Sequence, residues 1–302
     1  MIRCFVFFLL ASCPCMLSAQ KTDKALQKKL EQALMGFNGD VGIYVKNLKN
    51  GKTAAINADT VFPTASMVKV PILVGVMDKI EKGELSYKQE LIYRDSLLYE
   101  GEDILGSFKQ DEKIALNKVM MLMLTMSDNT ASLWLQSLAG TGSRINEILE
   151  GMGFIHTRVN SRTPGRETDW KKYGWGQTTP REMATLFEMI INNQVISAAA
   201  STRMARNLGH NFWDHVALSQ IPPYEKVLSK NGAVNASRSE ALLVTGKNSQ
   251  YVYCITTKNN KDVSWENDNE AWVLSRKVSQ ILWQHFEPKS KWTQPAGTEK
   301  FN

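Results

Sequence analysis

Residues 41–58, VGIYVKNLKNGKTAAINA, and residues 240–259, EALLVTGKNSQYVYCITTKN, read as two β-hairpins at opposite ends of a 302-residue chain. Each places strand-like runs around a turn signal, Asn50-Gly51 in the first and Gly246 to Ser249 in the second. A lone hairpin is marginal in water, so the chain is expected to start and finish in one sheet. Leu26, Leu30 and Leu34 have helical spacing before the first hairpin. A closing helix is expected from Glu270 to His285, with apolar Trp272, Val273, Val278, Ile281 and Leu282. Residues 64 to about 210 read as predominantly helical. The expected fold is therefore α/β (α+β): an antiparallel sheet flanked by helices, with an inserted all-α subdomain. The sheet layer would take about 22–62 and 225–288, the helical part about 63–215, in one catalytic domain over 20–302. A cleft between the two is the expected site.

The first twenty residues, MIRCFVFFLLASCPCMLSAQ, carry Arg3, an apolar run from Phe5 to Leu10 and small residues at Ser18 and Ala19. They are expected to be an export signal over 1–19, cleaved near 19/20, too short for a stable transmembrane helix. The mature protein would be periplasmic or secreted. LASC, Leu10 to Cys13, also resembles a lipoprotein cleavage box, which leaves anchoring through Cys13 as the alternative. Cys4, Cys13 and Cys15 lie in this segment, so a chain cut after Ala19 keeps Cys254 alone and forms no internal disulfide. Cys254, within YVYCITT, is expected to be a small buried hydrophobe. A formal charge of +6 comes from 36 basic against 30 acidic residues, with no basic block interleaved with aromatics. That argues against a nucleic-acid partner. The four histidines, His156, His210, His215 and His285, lack ligand spacing, so neither a metal nor a cofactor is expected.

Three short motifs carry the chemistry. In TASMVKVPIL, a helix beginning at Ser66 puts Ser66 and Lys69 one turn apart on one face. A neutral lysine amine can activate a serine hydroxyl, and a helix N-terminus turns N–H groups towards a developing oxyanion. Pro71 is tolerable this early in a helix. In MLMLTMSDNTASLWL, four polar residues interrupt a buried-helix pattern, where an unpartnered group costs about 1–3 kcal/mol. Asp128 or Asn129 can cap a helix there, or Ser127 and Asn129 can face the cleft. In LSKNGAVNASRSEALLV, Lys230-Asn231-Gly232 enters a strand, and the glycine admits a close backbone.

Each motif alone is a weak signal. In the order Ser66-x-x-Lys69, Ser127-Asp128-Asn129, Lys230-x-Gly232, they resemble the class A serine β-lactamases and their penicillin-binding relatives. TMSDNTA and TTPREMATL (Thr178 to Leu186) extend the likeness over nearly the whole mature chain. The resemblance implies Ser66 as the acylated nucleophile, Lys69 as its proton partner and Ser127 as the relay to the leaving nitrogen. It implies Asn129 and Lys230 as substrate contacts, with the N–H groups of Ser66 and Ala233 as oxyanion hole beside Gly232. Arg238 would receive the substrate carboxylate, although its connection from Lys230 is short for the family; a plain surface strand residue is the alternative. The substrate would be a β-lactam or a peptidoglycan peptide, acted on by a monomer. A D,D-peptidase-like acyl hydrolase, or a sensor that stays acylated, are the alternatives to a hydrolase.

One loop departs from the family pattern. In TRVNSRTPGRE, Thr157 to Glu167, the place of the family's water-activating glutamate holds Thr163, and the place of its asparagine holds Glu167. The usual Arg–Asp brace falls on Ser161 and Gly176 and is absent. Threonine cannot take a proton from water at neutral pH. Glu167 is expected as a displaced base, or more plainly as a partner of Arg162 or Arg166.

Overall fold

The computed structural model describes residues 21–101 and 103–298. The expected export signal, its cleavage site and Cys13 lie outside the described residues. Five antiparallel strands run in the order Thr53–Ile56, Asp40–Asn47, Gln250–Lys258, Ser237–Thr245, Lys226–Val234. Asp40 to Asn47 pairs residue by residue with Lys258 to Tyr251, so the two ends of the chain close one sheet. The turn at Gly51 needs its positive φ of 71°, which glycine adopts at no steric cost.

Both faces of this sheet are covered. Ala241, Leu243, Val252 and Cys254 pack on the helical block, while Leu242, Val244, Tyr251 and Tyr253 pack on the terminal helices. The first helix, Lys24–Ala33, buries Leu26 and Leu30, and Asp23 caps it by accepting from the Leu26 N–H. The closing helix, Glu270–Phe286, buries Leu274, Val278, Leu282 and Trp283, whereas Val273 is exposed. Cys254 is buried, and burial pushes its thiol pKa up. No helix among the described residues is long and apolar enough to cross a membrane.

The inserted block holds the helices Lys69–Glu81, Leu116–Met121, Asn129–Leu138, Thr141–Gly151, Glu167–Tyr173, Pro180–Ile191 and Ala198–Leu208. It also holds two small sheets that the periodicity does not announce. Phe62–Pro63, Gly176–Thr178 and Arg158–Val159 form one, and Glu90–Ile92 with Lys113–Ala115 the other. The first is the more consequential, because it ties the loop before Thr178 to the strand that enters Ser66. That loop is anchored at its start by Ser161, whose Oγ donates to Gln136 Oε1 at 2.9 Å. Thr163 turns into the protein, donating to the Ser161 carbonyl at 2.9 Å and lying against Gly142. A Cβ on Gly142 would overlap Thr163 Oγ1. Gly142→Ala is therefore expected to destabilise the fold by about 1–3 kcal/mol, read as a lower urea midpoint at unchanged slope.

Candidate active site

The strand Phe62–Pro63 passes through Ala65, held at a left-handed φ of 45°, into a single 3₁₀ turn over Ala65–Val68. The helix Lys69–Glu81 continues from it and keeps Ser66 and Lys69 one turn apart. Lys69 is fully buried, and four oxygens surround its Nζ. Ser66 Oγ lies at 3.2 Å, Ser127 Oγ at 3.0 Å, Asn129 Oδ1 at 2.8 Å, and the Ser127 carbonyl is also in hydrogen-bond contact. Burial drives the Lys69 pKa well below the ordinary lysine value, and the Lys230 charge pushes it the same way. Asp103 and Asp128 oppose the shift without reversing it.

Ser127 reaches this cage by a backbone device. The Met/Leu-rich helix Leu116–Met121 widens into a π turn at Leu122–Met126, and Ser127 then takes φ 59°, ψ 28°. A left-handed non-glycine residue costs of order 1–3 kcal/mol and persists only when its surroundings hold it. Here they do. Asp128 caps the helix Asn129–Leu138, accepting from Ala131 N at 2.7 Å and from Leu105 N at 2.9 Å. Asp103 accepts from the N–H groups of Asn129 (2.9 Å) and Thr130 (2.8 Å). Trp213 Nε1 donates to the Met126 carbonyl at 2.8 Å, and the Phe212 N–H to the Thr125 carbonyl at 3.1 Å. Burial raises the Asp128 pKa. The capping role of Asp128 was readable from its type; Asp103 and Trp213, distant in sequence and outside any motif, were not.

The edge strand supplies the third side. Gly232 lies so close to the serine turn that a Cβ there would sit 2.7 Å from Ser66 N and 2.7 Å from the Thr64 carbonyl oxygen. Ser66, Asn129 and Ala233 line a cleft of about 840 Å³, walled by Tyr99, Trp175 and Trp265. Lys230 is fully buried, with Nζ donating to the carbonyl (2.9 Å) and Oδ1 (3.1 Å) of Asn231. Burial pushes its pKa down to about 7. Glu240, across the sheet from Asn231, is fully buried too; burial pushes its carboxyl up, while Oε2 accepts from Ala217 N at 2.9 Å.

Two expected site residues are not brought to Ser66. Arg238 is 1% exposed and does not line the cleft. Strand alternation sends Ser239 towards the serine turn, where its Oγ donates to the Thr64 carbonyl at 3.1 Å, and turns Arg238 to the opposite face. There the guanidinium donates to the carbonyls of Asn235 (2.8 Å), Ser237 (3.0 Å) and Ser264 (2.8 Å). Its Cζ lies 4.6 and 4.9 Å from the ring centroids of Trp265 and Trp272, which themselves meet edge-to-face at 6.0 Å. Arg238 therefore packs behind Trp265, outside the cleft lining, and is not a surface residue. Glu167 begins the helix Glu167–Tyr173, is exposed, and accepts from the Gly165 N–H at 3.0 Å. Neither it nor Thr163 lines the cleft. The missing brace has a local substitute in Arg166, which bonds Asn160 Oδ1 (3.0 Å) and Gln177 Oε1 (2.9 Å) and pairs with Asp169 (2.9 Å). Of the histidines, His285 meets Asp23 at 3.0 Å and His215 lies edge-on between Trp213 and Trp272.

A nucleophile on a helix start, a buried amine against it, a second hydroxyl on that amine and a glycine strand alongside form an acyl-transfer constellation. Comparison with known proteins agrees. The model of the β-lactamase enzyme family matches residues 25–286. β-Lactamase VEB-1 of Pseudomonas aeruginosa is 24% identical over 281 residues, covering 89% of this chain and 92% of that protein. The structure of PBP-A superposes with a TM-score of 0.78 at 25% identity, over 89% of this chain and 98% of that one. A PBP-A point mutant solved as an acyl-enzyme complex with penicillin G gives 0.78 at 26% identity over the same shares. A β-lactamase from Chitinophaga pinensis shares the fold at 0.78 and 20% identity, over 86% and 99% of the two chains. The chain belongs to the β-lactamase enzyme family, as a serine β-lactamase-like hydrolase.

Proposed function

We propose that the protein opens β-lactams by class A-type acyl transfer to Ser66, and that release of the acyl group is its slow step. Ser66 Oγ attacks the lactam carbonyl, and the Lys69 amine takes its proton. The lactam C–N bond breaks as Ser127 Oγ passes a proton to the nitrogen, while the N–H groups of Ser66 and Ala233 receive the oxyanion. The observation that carries the reading is the set of oxygens around the buried Lys69 Nζ, Ser66 Oγ at 3.2 Å and Ser127 Oγ at 3.0 Å. The slow step is supported by the loop: no carboxylate among the described residues lines the cleft, Thr163 faces Gly142, and Glu167 caps Gly165. Absence of a positioned general base costs about 10²–10⁴-fold. The same acyl transfer would serve a peptidoglycan peptide, and the run from Phe5 to Leu10 supports export to where either substrate is met.

Intact-mass measurement after mixing with penicillin G tests this. The expected result is a stoichiometric adduct on Ser66 that persists for many minutes, with Glu167→Gln changing its decay by less than about twofold. No adduct at all would sink the acylation. A rapid return to native mass would sink the slow step, and a large effect of Glu167→Gln would restore that carboxylate as the base.

A further inference from the structure

The cleft has a one-sided charge. Lys171, Lys172 and Lys258 line it, and among the described residues no aspartate or glutamate does. Lys258 is fixed, its Nζ donating to the Val61 carbonyl at 2.9 Å and lying 4.7 Å from the centre of the Phe62 ring. Lys172 sits 5.0 Å over the Tyr173 ring, and both it and Lys171 are exposed at the end of the helix Glu167–Tyr173. The acids of that helix are engaged elsewhere, Asp169 by Arg166 and Glu167 by the Gly165 N–H. Flat aromatic rings make up part of the remaining wall, alongside neutral polar residues such as Asn129, Asn235 and Asn259. Trp265 is 62% exposed and backed by the Arg238 guanidinium, while Tyr99 meets Trp175 edge-to-face at 5.1 Å. A cleft lined by one sign of charge with low-dielectric walls focuses its field and concentrates counter-ions.

We propose that this cleft selects acyl donors whose side chain carries a negative charge beside a flat aromatic group, in addition to the carboxylate that all penicillins share. The selection rests on the β-lactam reading above and extends it to a substrate class. It acts on capture of the substrate, before any bond to Ser66 forms. It therefore appears in the second-order rate constant for acylation and is screened by salt.

Three penicillins isolate the effect: carbenicillin, benzylpenicillin and ampicillin share ring system and phenyl group, and carry a carboxylate, a hydrogen and an ammonium on the same side-chain carbon. Acylation rate constants of the full chain, followed by quenched intact mass at low ionic strength, are expected to fall in that order. The carbenicillin to ampicillin ratio should be about tenfold or more, and collapse towards unity in about 0.5 M sodium chloride. In Lys171→Glu/Lys172→Glu the ratio, taken on one protein and so independent of its folded fraction, is expected to invert. Equal rates for the three in the native chain overturn the inference while leaving acylation of Ser66 intact. A ratio that ignores both salt and the double substitution overturns it as well, since shape would then be the cause. If none of the three acylates Ser66, the β-lactam reading falls and this selection falls with it.

Discussion

Ser66→Ala is expected to abolish the penicillin adduct, and Lys69→Met to slow its formation by about 10²–10⁴-fold. Alanine removes the atom that is acylated, so no partial activity remains. Methionine keeps the volume of the lysine stem in a fully buried position, so the substitution tests the amine with little change in packing. What it removes is the base. Below its lowered pKa the Lys69 nitrogen is an ammonium and cannot take the Ser66 proton; above it the nitrogen is neutral and can. Because burial and the Lys230 charge move that pKa well below the ordinary lysine value, the neutral share at neutral pH is larger than for an exposed lysine. The acylation rate of the native protein is thus expected to rise with pH through the lowered pKa and then level. The residual rate of Lys69→Met should lack that limb. Adduct formation by quenched mass across pH 5–9 checks both statements, with thermal melts to confirm that the variant is folded. A pH limb that survives in Lys69→Met would assign the base to another group.

Gly232→Ala is expected to lower the acylation rate by about 10²-fold, at saturating as well as limiting penicillin. The added methyl would meet Ser66 N and the Thr64 carbonyl oxygen at 2.7 Å each. Both are backbone atoms, so no side chain can rotate aside, and the strand must back away from the serine turn. If the N–H groups of Ser66 and Ala233 receive the oxyanion as proposed, this shift would draw them apart, and loss of one oxyanion donor typically costs about 10²–10³-fold. Circular dichroism should show a native-like fold, because the displaced contact lies at the cleft and the sheet pairing from Lys226 to Ser229 is remote from it. A variant that acylates at the native rate would mean that the two N–H groups are not the oxyanion donors.

Much of this was readable from residue type and spacing. The hairpin signals at Asn50-Gly51 and Gly246–Ser249 mark strands that do join in one sheet, Asp40–Asn47 pairing with Gln250–Lys258. Ser66 with Lys69, and Ser127 with Asn129, were each legible because helix spacing and a polar break in a buried run are local properties, whereas joining the two sets rested on the family resemblance. Arg238 failed for an equally physical reason. Every residue from Ser237 to Val244 is buried, so the strand has no wet face, and apolar alternation cannot tell which side chains look at the serine. Its phase is set by pairing with the edge strand, Gly232 opposite Ser239, which no single-sequence pattern reports. The loop from Thr157 to Glu167 was placed by counting, and counting does not fix rotation about the chain. Thr163 packs inward because Gly142, one helix away, leaves it room. Asp103 and Trp213 hold Ser127 across tertiary distances and carried no motif at all.

The order in which the site is assembled follows from the register of the sheet. Ser66 and Lys69 are synthesised early, yet the strand that closes over them begins at Lys226, and the partner of Asp40–Asn47 is complete only at Lys258. A chain emerging from the ribosome therefore carries Ser66 through most of its synthesis without the Lys226–Val234 strand beside it, while Asp40–Asn47 has only the short Thr53–Ile56 strand as its sheet partner. Pairings this non-local are formed late and slowly. The cleft can thus close only after most of the chain has been made.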